Sequence, residues 1–170
     1  MSEGPFFSET QKIRPRIEKY LTGRSMIVDY GCGQDKIFPT AIGIDLRAMP
    51  GVDHVLKNIY DVYQFGHRKG WQDKVDIIYS SHFLEHIDND AFMVTVWTDL
   101  LKPGGYLILY LPDDDYYDNQ SNPEHLHWYK HKNFVREFMG NFKDDLRVVD
   151  SGPDVGDDRY SFFVVAERLK

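Results

Sequence analysis

The chain has 170 residues, 42% of them hydrophobic and 15% aromatic, enough for one domain with a real core and too apolar for wholesale disorder. Its 27 acidic and 20 basic residues leave a net charge of -7, which removes the global positive field that draws proteins to nucleic acid or anionic lipid. One cysteine makes no internal disulfide, no apolar run approaches the roughly 18 residues of a membrane span, and the opening MSEGPFFSETQK lacks a signal-like basic and apolar stretch, so a soluble cytoplasmic protein is expected.

In chain order, helical periodicity covers residues 8–21, with Ile13, Ile17, Tyr20 and Leu21 at spacings of three and four. Short apolar runs bounded by glycine, proline or aspartate predict strands at 26–30, 41–46, 54–56, 75–80 and 106–111, then at 146–149 and 161–166. Most are continuously apolar, as strands covered on both faces of a largely parallel sheet must be. Two more helices are expected at 90–101 and 132–142, the latter carrying Phe134, Val135 and Phe138. Strands alternating with helices predict an α/β, doubly wound sheet. The link DSGPDVGDDRY between the last two strands is too rich in turn residues for a crossover helix, so these strands are expected to form an antiparallel hairpin at one edge. Residues 31–40, GCGQDKIFPT, stand where a crossover helix normally lies, and Pro39 discourages one; either this crossover is a loop or the flanking strands are misassigned. Pro103, Gly104 and Gly105 read as a tight turn into the fifth strand.

The chemistry begins at Ile27-Val28-Asp29-Tyr30-Gly31-Cys32-Gly33, an apolar strand entering a glycine turn. Glycines serve where backbone turns tightly and approaches a ligand, and the carboxyl end of a central strand is where open α/β sheets bind ligands. The next strand ends in Gly43-Ile44-Asp45-Leu46, whose carboxylate can accept hydrogen bonds from both hydroxyls of an adenosine ribose. A dinucleotide site would place a third glycine where Lys36 stands, on a helix N-terminus, and its acidic residue about 20 positions beyond the first glycine, farther than Asp45 lies. An adenosyl ligand without a pyrophosphate fits better.

With VDYGCGQ at 28–34, GIDL at 43–46, VDIIYSSHFLEHI at 75–87 and LKPGGYLILYLP at 101–112, the sequence resembles the class I S-adenosylmethionine-dependent methyltransferases. The resemblance runs from about residue 26 to the end of the sheet, and is nearest to small members with a shortened first crossover, several of which act in glycan or cell-surface polymer pathways. It implies a seven-stranded, Rossmann-like sheet with an antiparallel last strand. It further implies S-adenosyl-L-methionine as cofactor and methyl transfer to oxygen or nitrogen of a small-molecule or glycan acceptor. Carried over by position, Asp29, Gly31, Cys32 and Gly33 shape the cofactor loop, Asp45 binds ribose, and Leu46 contacts adenine. Asn58 and Asp61 compete for the adenine amino group, while Ser80, Ser81 and His82 face cofactor and acceptor. Asp35 and Tyr30 depart from the family pattern at the methionine end.

Cys32 reads as a loop filler, since no base stands beside it to make a nucleophile. Glu85 is either a buried hydrogen-bonding anchor or, with His86, a catalytic group. Residues 112–132, PDDDYYDNQSNPEHLHWYKHK, form a long loop at the carboxyl end of a central strand and read as an acceptor lid. His127 or His125, with His82 behind them, is the expected general base for a hydroxyl acceptor. No metal is assigned, although His125-x-His127 with nearby carboxylates, and His131 beyond, supports a metal-binding protein as a rival. A non-catalytic module that keeps the fold for binding or interaction, or a nicotinamide-dependent sugar enzyme, would use the same sheet. The expected organisation is one domain, 1–170, with an N-terminal helix in 1–22, a cofactor half at 26–112, the lid at 112–132 and the hairpin at 146–166. Aromatics at 112–129 serve either the lid or a homodimer contact.

Overall fold

A computed structural model describes residues 9–153 and 160–170; Ser8 and most of the link between the last two strands lie outside them. Seven strands form one sheet: β1 (Ile27–Tyr30), β2 (Ile42–Asp45), β3 (His54–Val55), β4 (Val75–Ser81), β5 (Leu101–Pro112), β6 (Leu146–Pro153) and β7 (Ser161–Arg168), in the order β3-β2-β1-β4-β5-β7-β6. The pairs β1 with β2, β1 with β4, β2 with β3 and β4 with β5 are parallel. Strand β7 is antiparallel to both β5 and β6, and β6 takes the edge. This is the predicted doubly wound, mostly parallel sheet with an antiparallel C-terminal pair, and both strands of that pair run longer than their apolar cores.

Alternating side chains feed two apolar layers, one on each face. Ile77 and Tyr79 of β4, Ile108 and Tyr110 of β5, and Phe163 and Val165 of β7 pack with Ile13, Ile17 and Leu21 on one face. Ile78, Leu107, Leu109, Phe162 and Val164 join Trp97 and Phe134 on the other. Every residue of β4 is buried, as a central strand covered on both sides requires.

The N-terminal helix is divided into α1 (Glu9–Lys12) and α2 (Arg14–Leu21). Pro15 in the first turn of α2 has no N–H to donate and its ring crowds the carbonyl four residues back, so one continuous helix from 8 to 21 is not formed. Between β1 and β2 the crossover is a loop without a helix, and the two strands pair in register from Val28 with Ile42. A helix not among the expected elements, α3 (Ile59–Arg68), fills the crossover after β3, with Ile59, Val62 and Tyr63 at helical spacing. Its mid-helix Gly66 lowers helix propensity but lets Leu100 approach, for a Cβ there would lie 2.3 Å from Leu100 Cδ1. Helix α4 (Asp90–Leu100) begins where the Asn89 side chain accepts from Phe92 N at 3.0 Å, an N-cap. Segment 131–142 is irregularly helical, with a wide turn over Phe134–Phe138. Its aromatic row persists, with ring centroids 4.7 Å apart for Phe134 and Phe138 and 5.5 Å for Phe138 and Phe142. The Pro103-Gly104-Gly105 turn lies within the irregular start of β5, where Gly104 takes φ 74°.

Candidate functional site

The carboxyl ends of β1, β2 and β4 meet the 112–132 loop around a cavity of about 450 Å³, within the roughly 300–1,000 Å³ usual for small-molecule sites. Gly31, Gly33, Asp45 and Leu46 line one side, with Arg47 and Met49 beyond them; His82, Phe83 and His86 line the other, closed by Glu124 from the loop.

The glycine turn is shaped by conformations that side chains resist. Gly31 and Gly33 take φ 74° and 55°. A Cβ at Gly31 would stand 2.6 Å from Phe83, whereas one at Gly33 would meet nothing within 4 Å, so the backbone at Gly33 borders open space. Gly33 N–H donates to Asp45 Oδ2 at 3.0 Å and Arg47 N–H to Asp45 Oδ1 at 2.9 Å. Two backbone donors thus fix the carboxylate, and each oxygen keeps lone-pair capacity for a ligand.

Asp29 and Cys32 of the predicted cofactor set, together with Gly43 of β2, support this turn from behind. Asp29 is fully buried, accepts from Ile37 N–H at 2.7 Å through Oδ2, and has no partner for Oδ1 among the described residues. Burial pushes its carboxyl up to about 7, opposed by the Ile37 hydrogen bond. Cys32 faces Gly51 O at 3.4 Å and does not line the cavity, and burial raises its thiol to about 12. Gly43 lets these segments touch, because a Cβ there would lie 2.2 Å from Gly51 O.

Ser80 and Ser81 are buried at the end of β4, and neither lines the cavity. His82, which follows them, does, and it holds φ 47°, a left-handed conformation uncommon outside glycine. Its Nε2 is 3.1 Å from Ser161 Oγ, its Nδ1 3.6 Å from Glu85 Oε1, and its N–H donates to Tyr110 O at 2.8 Å.

Glu85 is fully buried in a 3-10 turn, and neither carboxylate oxygen has a hydrogen-bond partner among the described residues. Burial raises its carboxyl to about 8. The Glu85 carbonyl, by contrast, accepts from Leu126 N–H at 2.8 Å and His127 N–H at 3.2 Å, pinning the 112–132 loop over this turn. His86 Nδ1 donates to Glu124 O at 2.8 Å, and Tyr129 hydroxyl donates to Asp90 Oδ2 at 2.8 Å. The loop therefore carries its own bonded framework, including a 3-10 turn at Asn119–Ser121.

The expected lid histidines are dispersed. His125 is buried beside His86, with ring centroids 4.8 Å apart. His127 Nε2 donates to Ile87 O at 2.7 Å and its ring stacks on Tyr129, away from the cavity lining. His131 lies 3.2 Å from Ser151 Oγ, so the three histidines are not gathered at one point. Instead Glu85, His86 and His125 each bring a ligand-capable atom within 4.8 Å of the others. Asn58 caps α3 by accepting from Asp61 N–H at 3.1 Å, and Asp61 pairs with Arg68 at 3.1 Å; neither lines the cavity. Sequence reasoning did not name Phe83, Met49 or Glu124 for the site, since apolar and acidic loop residues carry no spacing signal.

Among the described residues no helix is long and apolar enough to cross a membrane. A family model described as "Methyltransferase domain" matches residues 6–139. Comparison with curated proteins finds no match. Among solved structures, the fold is similar to a SAM dependent methyltransferase from Archaeoglobus fulgidus, at 14% identity and TM-score 0.65, covering 94% of this chain and 95% of that one. It is equally similar to a putative S-adenosylmethionine dependent methyltransferase from Listeria monocytogenes, at 15% identity and TM-score 0.65, covering 95% and 98%. A third likeness is the 1,6-didemethyltoxoflavin-N1-methyltransferase of Burkholderia thailandensis, solved with its substrate and S-adenosylhomocysteine, at 12% identity, TM-score 0.64 and coverage of 95% and 78%. With a match over most of its length and the strand order β3-β2-β1-β4-β5-β7-β6, the chain belongs to the methyltransferase domain family.

Proposed function

We propose that the protein transfers a methyl group from S-adenosylmethionine to a small-molecule or glycan acceptor, at oxygen in the first instance. The observation that carries this reading is the Asp45 carboxylate held by Gly33 N–H and Arg47 N–H at the rim of a cavity walled by the glycine turn. The fit is physical: the cavity volume suits such a ligand, the space over Gly33 is open, and the carboxylate keeps acceptor capacity for ribose hydroxyls. The three structural neighbours are described as enzymes of this cofactor or were solved with its product, which supports the same reading.

When bound, the cofactor supplies a methyl group already activated by its sulfonium, so little side-chain chemistry is required. Asp45 accepts from the ribose, Leu46 packs on adenine, and the 31–33 turn faces the methionine portion. The lid, pinned through Glu85 O, limits water at the reacting end. His82 takes the acceptor's proton, since it is the histidine of the predicted base set that lines the cavity. A positioned base contributes about 10²–10⁴-fold.

The experiment is a screen of small hydroxyl and glycan acceptors with methyl-labelled S-adenosylmethionine, read as labelled acceptor and released thioether. His82→Gln should lower turnover about 10²-fold or more while S-adenosylhomocysteine still binds. Equal turnover in the variant removes His82 from the proton transfer, and label transfer only to amines replaces oxygen as the site of methylation.

A further inference from the structure

We propose that Glu85, His86 and His125 form a binding site for one divalent first-row metal ion at the edge of the cavity. The three ligand atoms come from two segments, the 3-10 turn after β4 and the lid, and lie within 4.8 Å of one another. The set of two imidazoles and one carboxylate is the donor set of catalytic zinc and of open-sided transition-metal sites.

The second bonds of these residues point the same way. His86 Nδ1 faces the Glu124 carbonyl at 2.8 Å, an acceptor only, so the ring proton sits on Nδ1 and Nε2 carries the lone pair. That Nε2 is 3.8 Å from Glu85 Oε1. His125 Nδ1 is 3.0 Å from Asn119 Oδ1, a buried amide oxygen, which leaves Nε2 as its ligating nitrogen as well. An oxygen acceptor behind each ligating histidine is the usual way a metal site fixes tautomer and ring orientation. Glu85 completes the set as a wholly buried carboxylate whose two oxygens make no hydrogen bond among the described residues, with His82 Nδ1 3.6 Å from Oε1, the sort of group that a cation satisfies.

Tetrahedral ligands about 2.1 Å from zinc lie about 3.4 Å apart, so binding draws the side chains inward by about an ångström. Three protein ligands leave at least one coordination position open, and of the three His86 also lines the cavity. The metal site itself is independent of the methyl-transfer reading; only the further role, holding an acceptor oxygen and favouring its deprotonated form, rests on it.

The test uses the full chain stripped with a chelator, titrated with Zn²⁺ by calorimetry and with Co²⁺ by visible absorption. The expected result is one ion per chain, d–d bands indicating four or five ligands, and a higher Tm with metal. His125→Ala and Glu85→Gln should each weaken uptake at least about 10-fold, loss of a ligand being no milder than loss of its orienting partner. Thermal unfolding of the metal-free variants shows that they fold, and if His125→Ala does not, Glu85→Gln decides. Absence of stoichiometric uptake by the wild-type chain, or uptake unchanged in a folded variant, overturns the proposal. S-adenosylhomocysteine binding measured on the same metal-free sample separates this outcome from failure of the methyl-transfer reading.

Discussion

Gly33 donates its backbone N–H to the Asp45 carboxylate at 3.0 Å, joining the turn after β1 to the end of β2 across the mouth of the cavity. Because Gly31 N–H and Cys32 N–H also reach Ile44 O, at 2.8 and 3.3 Å, the turn is built as an extension of the β1–β2 pairing. The turn is thus held by hydrogen bonds to β2 without a crossover helix.

The rigidity of that turn depends on Gly31. Replacing it by alanine forces a side chain into φ 74° and sets Cβ 2.6 Å from Phe83. Left-handed strain alone costs about 1–3 kcal/mol. Gly31→Ala should lower Tm by about 5 °C or more for a chain of this size. Gly33→Ala, with φ 55° and no neighbour within 4 Å, should fall less; an equal fall would show that contact with Phe83 is unimportant.

Asp29 gives the protein a pH dependence of definite sign. Burial raises its folded pKa to about 7, against about 3.9 unfolded, so between these values the folded chain holds a proton that the unfolded chain releases. Stability from this group is present at low pH and is lost as pH rises through about 7, by at most about 1.4 kcal/mol per pH unit. Asp29→Asn keeps an acceptor for Ile37 N–H and cannot ionise. The Tm of the variant relative to wild type should climb between pH 5 and 8, expected as several degrees; a difference that stays flat would mean Asp29 does not titrate there.

The 112–132 loop should loosen when its tyrosine anchor is cut. Tyr129 is buried and bonds Asp90 Oδ2 at 2.8 Å, while the neighbouring His127 Nδ1 is 3.6 Å from the same oxygen. Tyr129→Phe should cost about 1.5–3 kcal/mol, the range for a hydrogen bond to a charged group. Amide exchange should quicken at Leu126 and His127, whose N–H groups donate to Glu85 O. Unchanged exchange at these two amides would place the anchorage elsewhere in the loop.

The strands were legible because each is a short apolar run closed by a turn residue, whereas Pro39 only disfavoured a helix in the first crossover and left open whether the flanking strands were misassigned, which the β1–β2 pairing resolves. Helix α3 was not placed, although Ile59, Val62 and Tyr63 stand at helical spacing, because Gly66 lowers its propensity and its Asn58 cap resembles many other Asn-x-x-Asp spacings. At the site, the glycine turn and Asp45 lie close in sequence and follow a pattern. The histidines do not, since whether His127 faces a ligand or Ile87 O is decided by how the lid lies on the 84–90 segment. The gathering of Glu85 and His86 with His125 is likewise a tertiary event without a spacing rule.

The most direct measurement is calorimetric titration of the wild-type chain and Asp45→Ala with S-adenosylhomocysteine. Loss of charge-assisted hydrogen bonds to ribose, at about 1.5–3 kcal/mol, predicts one site in the wild type and affinity lower by about 10–100-fold in a folded Asp45→Ala. No binding by the wild type, or the same affinity in both proteins, would contradict the assignment of this cavity to the cofactor.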